Sequence, residues 1–258
     1  MSEDDDAPIG RIMSRREMLA LLGGSGAALL AACAPAAVRA TTSPAATAAA
    51  SATAASAIVA TPNCVVVPAL TEGPYFVDEK LSRSDIRSDP TDGSVKAGAL
   101  LTLALNISRA NGGACSALTG ATVDLWHCDA LGVYSDASDP GFNTKGKKFL
   151  RGYQTTDAGG NVRFTTIYPG WYQGRAVHIH FKVRMPATNA SYDFTSQFFF
   201  DDSFSDQVFT QAPYSQKGSG RLRNGGDSIY AAGGNKLVLP VAKSGDGYAA
   251  AFAIGLAI

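Results

Sequence analysis

VHIHFKVR, Val177 to Arg184, alternates apolar and polar residues without a break. That period of two reads as a β-strand, in which residues i and i+2 share a face. His178 and His180 therefore project together, and the chain has only three histidines. Two imidazoles on one strand face are either buried polar residues or half of a metal site, and an HxH pair alone leaves both readings open. Arg175 stands just upstream of the first histidine.

Similar segments flank this strand. LLTLALNIS (Leu100 to Ser108) puts Leu101, Leu103, Leu105 and Ile107 on one face and is followed by Asn111-Gly112-Gly113, a turn. ATVDLWHC (Ala121 to Cys128) places Val123, Leu125 and His127 on one side, and GNVRFTTI (Gly160 to Ile167) follows a DAGG turn. SYDFTSQFFF (Ser191 to Phe200), NKLVLPV and the final YAAAFAIGLAI complete the set. Short alternating segments separated by Gly, Pro and Asp turns predict an all-β fold, an antiparallel β-sandwich over residues 64–258 with little helix. The glycines between 217 and 234 read as long surface loops without phosphate-loop spacing.

The first 63 residues have a different composition. Residues 14–33, SRREMLALLGGSGAALLAAC, pair Arg15 and Arg16 with an apolar run too short and too rich in Gly and Ala for a membrane span. This is a twin-arginine export signal over residues 1–33. Leu30-Ala31-Ala32-Cys33 resembles a lipoprotein cleavage box that would leave Cys33 as a lipid-bearing N-terminus. Residues 34–63, mostly Ala, Thr, Ser and Pro, read as a flexible tether. The expected location is extracytoplasmic, anchored to a membrane by lipid. With 22 basic and 22 acidic residues and no basic run in the folded part, nothing points to nucleic acid. Export favours a disulfide among Cys64, Cys115 and Cys128, with one thiol left over and the pairing unassigned. No feature specifies a homo-oligomer.

Around the histidines, YPGWYQGR (Tyr168 to Arg175) uses a Pro-Gly turn to present aromatic and basic side chains, and DALGVYSD carries Tyr134 just past a strand end. The chain has no Cys-x-x-Cys, no HExxH, no G-x-S-x-G and no calcium-loop acidic cluster. Tyrosine and arginine remain. A phenol with a free pKa near 10 stays deprotonated at neutral pH only beside a strongly charged ion, and ferric iron suits it. His127 reads as structural, Asp136 and Asp157 as turn formers, and Arg151 as either a loop anchor or a residue approaching the site.

TEGPYF (Thr71 to Phe76), GATVDLWHCDALGVYSD, FLRGYQTTDAGGNVRFTTIYPGWY and GRAVHIHF together closely resemble the intradiol ring-cleavage dioxygenases. The likeness is strongest to exported single-domain members related to the protocatechuate 3,4-dioxygenase core, and it runs to about Phe200. It implies Fe(III) as cofactor, with a catechol-type aromatic substrate and O2 as reactants. Four iron ligands follow from it: Tyr134 as the equatorial tyrosinate, Tyr172 as the axial tyrosinate that leaves when substrate arrives, His178 as the equatorial histidine and His180 as the axial one. It also implies that Arg175 sits by the substrate ring and that Gln197 lines the same pocket. The chain departs from larger members in the short spacing from Tyr172 to His178, so their substrate preferences do not transfer. It also carries the tether in place of the N-terminal helical region of the catechol 1,2-dioxygenases. The competing classes are a β-sandwich binding module with a structural metal or none, and a zinc or copper enzyme on the same ligands.

Mass spectrometry of the mature N-terminus is expected to find lipid-modified Cys33. An unmodified terminus elsewhere would refute anchoring while leaving export intact.

Overall fold

The computed structural model describes residues 66–111, 114–185 and 192–258. The expected export signal, the tether and Cys64 lie outside them. Two sheets face each other. The first centres on β1 (Leu100–Asn111), flanked on one side by β11 (Gly247–Leu256) and β10 (Ala242–Ser244), and paired also with β2 (Ala114–Ala117) and β7 (Asn161–Ile167). The second runs in the order β6 (Arg151–Thr155), β3 (Thr122–Trp126), β8 (His178–Met185) and β9 (Tyr192–Phe199), all antiparallel. A small hairpin, β4 (Ser138–Asp139) with β5 (Phe142–Asn143), stands apart.

Strand alternation builds the core. Leu101, Leu103, Leu105 and Ile107 of β1 and Ile179, Phe181 and Val183 of β8 are fully buried in one apolar cluster. Phe181 stacks on Phe198 with centroids 4.3 Å apart, and Phe198 meets Phe252 of β11 edge-on at 5.2 Å, joining the sheets. The even-numbered residues of β8 therefore face outward, where a second cluster contains Tyr75, Trp126, Cys128, Tyr134 and Ala137. Cys115 is disulfide-bonded, and Cys128 is a free, buried thiol.

The fold departs from the all-β antiparallel expectation in two ways. First, β11 runs parallel to β1, from Leu101↔Tyr248 to Arg109↔Leu256. Period-two alternation carries no strand direction, and a parallel pair needs a long crossover. That connection holds the second departure, which is helix. Asp201 caps the helix Asp202–Val208 by accepting the Phe204 N–H at 2.9 Å, and Asp227 caps Ser228–Ala231. Short 3₁₀ turns, Tyr214–Lys217, Asn224–Gly226 and Gly234–Lys236, punctuate the glycine-rich stretch. NKLVLPV makes a bridge, Phe199↔Val238, and no named strand, while β2, β4, β5, β6 and β10 are strands that alternation did not reveal.

His127, one residue past β3, ties the sheets together. Its Nδ1–H donates to the Cys128 carbonyl at 2.8 Å, so Nε2 accepts from the Thr166 hydroxyl of β7 at 2.7 Å. Burial pulls its pKa from 6.5 to about 4. The unfolded chain then binds a proton that the folded chain refuses, so stability falls as pH drops from 6.5 toward 4, by up to about 3 kcal/mol from this group. His127→Gln keeps an acceptor for Thr166 and removes the titration. Urea midpoints across that window are expected to fall less steeply in the variant, and equal slopes would show that His127 does not carry the effect.

Candidate metal centre

One row of side chains crosses the outer face of the second sheet. Backbone register places Arg151 of β6 beside Trp126 of β3, Trp126 beside His180 of β8, and His180 beside Gln197 of β9. All four are buried. Trp126 stacks on the His180 ring at 4.9 Å and 9°, which fixes the plane of the imidazole. The segment Thr71 to Tyr75 covers the row: Gln197 Nε2 donates to the Thr71 carbonyl at 2.8 Å, and Arg151 donates to the Tyr75 carbonyl at 3.2 Å. Between these pins, Gly73 has φ +69°, and a Cβ there would stand 3.2 Å from His180 Cε1. A side chain would therefore be strained by its backbone and crowd the imidazole.

Three of the four expected ligands converge. His178 Nε2 lies 3.0 Å from His180 Nε2 and 3.1 Å from the Tyr134 hydroxyl. The His178 Nδ1–H donates to the Ala176 carbonyl at 2.7 Å, which leaves a lone pair on Nε2. His180 Nδ1 is buried and has no hydrogen-bond partner. Burial pulls His178 down to about 3 and His180 well below its ordinary value, so both rings are neutral and able to ligate. Burial also raises Tyr134 well above the ordinary phenol value. A buried phenol of that kind gives up its proton only to a strong local positive charge. Two imidazole nitrogens and a phenol oxygen gathered at one point fit a highly charged, fairly hard cation. Among the described residues no group of three or more His, Cys, Asp or Glu side chains gathers, so tyrosine oxygen is what completes this set.

Tyr172 stands apart from that point. Its ring meets Tyr134 edge-on at 5.9 Å, while its hydroxyl lies 2.6 Å from the Tyr75 hydroxyl and donates to Asp139 Oδ2 at 2.9 Å. Tyr75 also donates to Asp139 Oδ2, at 2.6 Å, and this bond leads in holding the Asp139 carboxyl below its ordinary range. Burial raises both phenols. The triangle thus has three contacts but, with Asp139 ionised, only two protons.

Arg175 and Gln197 meet as expected, Arg175 Nη2 donating to Gln197 Oε1 at 2.7 Å. Arg175 Nε donates to Asp227 Oδ2 at 2.9 Å, and Asp227 also accepts the Ala176 N–H at 2.8 Å. Burial works against the Asp227 charge, but Arg175 and the backbone donors outweigh it and keep the carboxyl below its ordinary range. Asp136, at φ +48°, is a turn residue as expected. Sequence reading missed Tyr75, Asp139 and Asp227 as site residues. Tyr75 lies in the TEGPYF stretch that carried the resemblance, whereas Asp139 and Asp227 sit in loops with no local signature.

Comparison with known proteins places this geometry in context. A family model described as Dioxygenase matches residues 71–222. An intradiol ring-cleavage dioxygenase from Tetranychus urticae is 32% identical, with a TM-score of 0.65 over 76% of this chain and 95% of that one. The dioxygenase domain of a dioxygenase carbohydrate-binding protein fusion from the cellulolytic bacterium Streptomyces sp. SirexAA-E is 27% identical, with a TM-score of 0.52 over 77% of this chain and 98% of that one. Catechol 1,2-dioxygenase from Acinetobacter sp. ADP1, inhibited by bound mercury, shares the fold at 23% identity and a TM-score of 0.50, over 77% of this chain and 63% of that one. No curated protein matches the chain.

Proposed function

The chain belongs to the intradiol ring-cleavage dioxygenase family, and from that premise we propose that it is a ferric enzyme acting on a catechol-type substrate. It inserts both atoms of O2, cleaving the ring between the hydroxylated carbons to a cis,cis-muconate-type diacid. The observation that carries this reading is the convergence of the Tyr134 oxygen, at 3.1 Å, and His180 Nε2, at 3.0 Å, on His178 Nε2. Tyr134, His178 and His180 would hold the iron, with Tyr172 as the fourth ligand. Ferric iron, when bound, supplies the Lewis acidity that holds a catecholate and makes its ring reactive toward O2.

The chain's own residues handle protons, orientation and charge. A catechol must shed two protons to bind through both oxygens. Tyr172 Oη would take one of them, and the Tyr75–Asp139 pair holds its hydroxyl by hydrogen bonds. The second would leave by the same triangle, whose two protons span three contacts, with Asp139, partly open to solvent, passing it outward. Arg175 spends one N–H on Asp227 and one on Gln197, leaving three of its five donors for negative charge developing on the substrate. The neutral, buried wall of Trp126, Tyr75 and Tyr134 keeps water from the ring. Export by the route read from Arg15 and Arg16, with lipid on Cys33, would hold this domain outside the cell on the 34–63 tether, where aromatic compounds such as lignin-derived catechols are met.

Freshly purified protein is expected to be burgundy to red-brown with one iron per chain. It should consume one O2 per ring in a screen of catechol, protocatechuate and hydroxyquinol, placing both atoms of isotopically labelled O2 in the diacid. Zinc without iron and no visible absorption would refute the reading. The two tyrosines are expected to separate. Tyr172→Phe should retain iron while turnover per iron falls by roughly 10²–10⁴, as for a lost positioned base. Tyr134→Phe should lose ferric binding itself. Near-normal turnover per iron in the Tyr172 variant would remove its proton-accepting role.

A further inference from the structure

Arg151 is a buried cation that the reaction as derived does not use. It occupies the β6 end of the row that continues through Trp126 and His180 to Gln197. Its guanidinium spreads over two segments that approach the centre from different parts of the chain. Nη1 donates to the Tyr75 carbonyl at 3.2 Å, Nε donates to Ser135 Oγ at 2.7 Å, and Nη2 donates to the Ser135 carbonyl. The Ser135 hydroxyl donates to the Phe149 carbonyl at 2.6 Å, so its lone pairs are left for Arg151. Arg83 holds the Arg151 carbonyl through Nε at 3.0 Å, which fixes the backbone from behind.

The three acceptors, two backbone carbonyls and one hydroxyl, are all neutral. Arg175, Arg184 and Arg221 each meet a carboxylate instead. Burying a guanidinium without a carboxylate in contact is costly, and burial pulls the Arg151 pKa down, outweighing the opposing pull of Glu79 and Asp136 from farther away. A rigid planar fork is what the geometry requires, because a single group must reach three oxygens on two backbones, which a lysine ammonium on a flexible stem does poorly.

The two backbones are the ones the chemistry depends on. Ser135 follows Tyr134, the ligand that stays. Tyr75 is half of the pair that engages the Tyr172 hydroxyl. Tyr75 and Tyr134 stack with centroids 4.4 Å apart and 22° between planes, so a shift of either segment moves both rings. We propose that Arg151 is a positioning residue of the metal centre, fixing the Tyr134–Ser135 backbone and the Tyr75 end of the covering segment to one side chain, so that the permanent ligand and the acceptor of the departing one keep a set separation. This rests on the function proposed above, and the experiment separates the two.

The full-length protein and its variants Arg151→Met, Arg151→Lys and Arg221→Met are compared. Arg221 serves as a control because it is ion-paired to Asp202 and Asp206 in the helical crossover, away from the site. Metal-free samples are followed by hydrogen–deuterium exchange, then titrated with ferric nitrilotriacetate while the visible tyrosinate band, iron affinity and turnover per iron are read. Arg151→Met should raise exchange in peptides 71–76 and 133–137 together and shift the band. It should also weaken ferric affinity or turnover per iron by roughly 10–100-fold, the range for residues that orient metal ligands. Arg151→Lys should fall between it and the parent, and it decides the matter if the Met variant does not fold. Arg221→Met should lower the melting temperature and leave the band and both peptides unchanged. The proposal is overturned if the Arg151 variants lose only melting temperature, with the band, affinity and both peptides as in the parent. A colourless parent without ring cleavage would remove the functional reading, and the paired exchange result would still decide whether Arg151 holds the two segments.

Discussion

The register of β8 between β3 and β9 is the constraint on which the rest depends. With side chains alternating across the strand, one setting puts Ile179, Phe181 and Val183 into the core and His178 and His180 on the outer face. A slip of one residue would exchange them. The same register sets Trp126 flat on His180 and Gln197 beside it, so orienting the imidazole, stacking it and pinning the Thr71 end of the covering segment are one event. The outer face of a sandwich sheet normally meets water. Here it carries imidazoles that must be dry to serve as neutral ligands, and the Thr71–Tyr75 segment provides the cover.

That cover is held mainly by polar contacts. Beyond the Gln197 and Arg151 pins, Lys182 Nζ pairs with Glu72 at 2.7 Å and sits over the Phe76 ring at 4.5 Å, and Arg184 joins Asp78 to Asp124. Lys182 thus ties the covering segment to the sheet, and Arg184 ties down the stretch that follows it. The Pro169-Gly170 turn is held as closely from the other side. A Cβ at Gly170 would stand 2.5 Å from the Asp129 and Ala130 carbonyls, so only glycine lets the Tyr172 loop lie against the loop that leads to Tyr134.

Much of the sandwich was legible because its signals are local. Leu101 to Ile107 and Val177 to Val183 are buried where their alternation says, and His127 is the structural residue its place in the sequence indicates. Strand direction was not legible, because YAAAFAIGLAI reads the same whichever way it enters the sheet, and only the long crossover decides. The helices begin at Asp201 and Asp227, whose capping role depends on backbone geometry that loop composition does not display. The residues implied by the resemblance are brought to one region, with three polar groups converging. What was missed is non-local: Tyr75, Asp139 and Tyr172 meet from three separate segments, and no periodicity can place them together.

The two tyrosines expected as ligands are chemically identical, and burial and hydrogen-bond partners distinguish them. Tyr134 is 1% exposed, stacked on Tyr75 and held close to His178. To leave, its ring would have to displace Tyr75 and open the aromatic cluster. Tyr172 is only half-buried, next to the exposed Gln173 and Gly174, and its hydroxyl already has hydrogen-bond partners away from the histidines. Its ring contacts with Tyr75 and Tyr134 are edge-on, at 5.5 and 5.9 Å, at the margin of that cluster. If iron binds here as proposed, a permanent ligand and a departing one would need no difference in side-chain chemistry, because packing would hold Tyr134 and an alternative pair of hydrogen bonds would receive Tyr172.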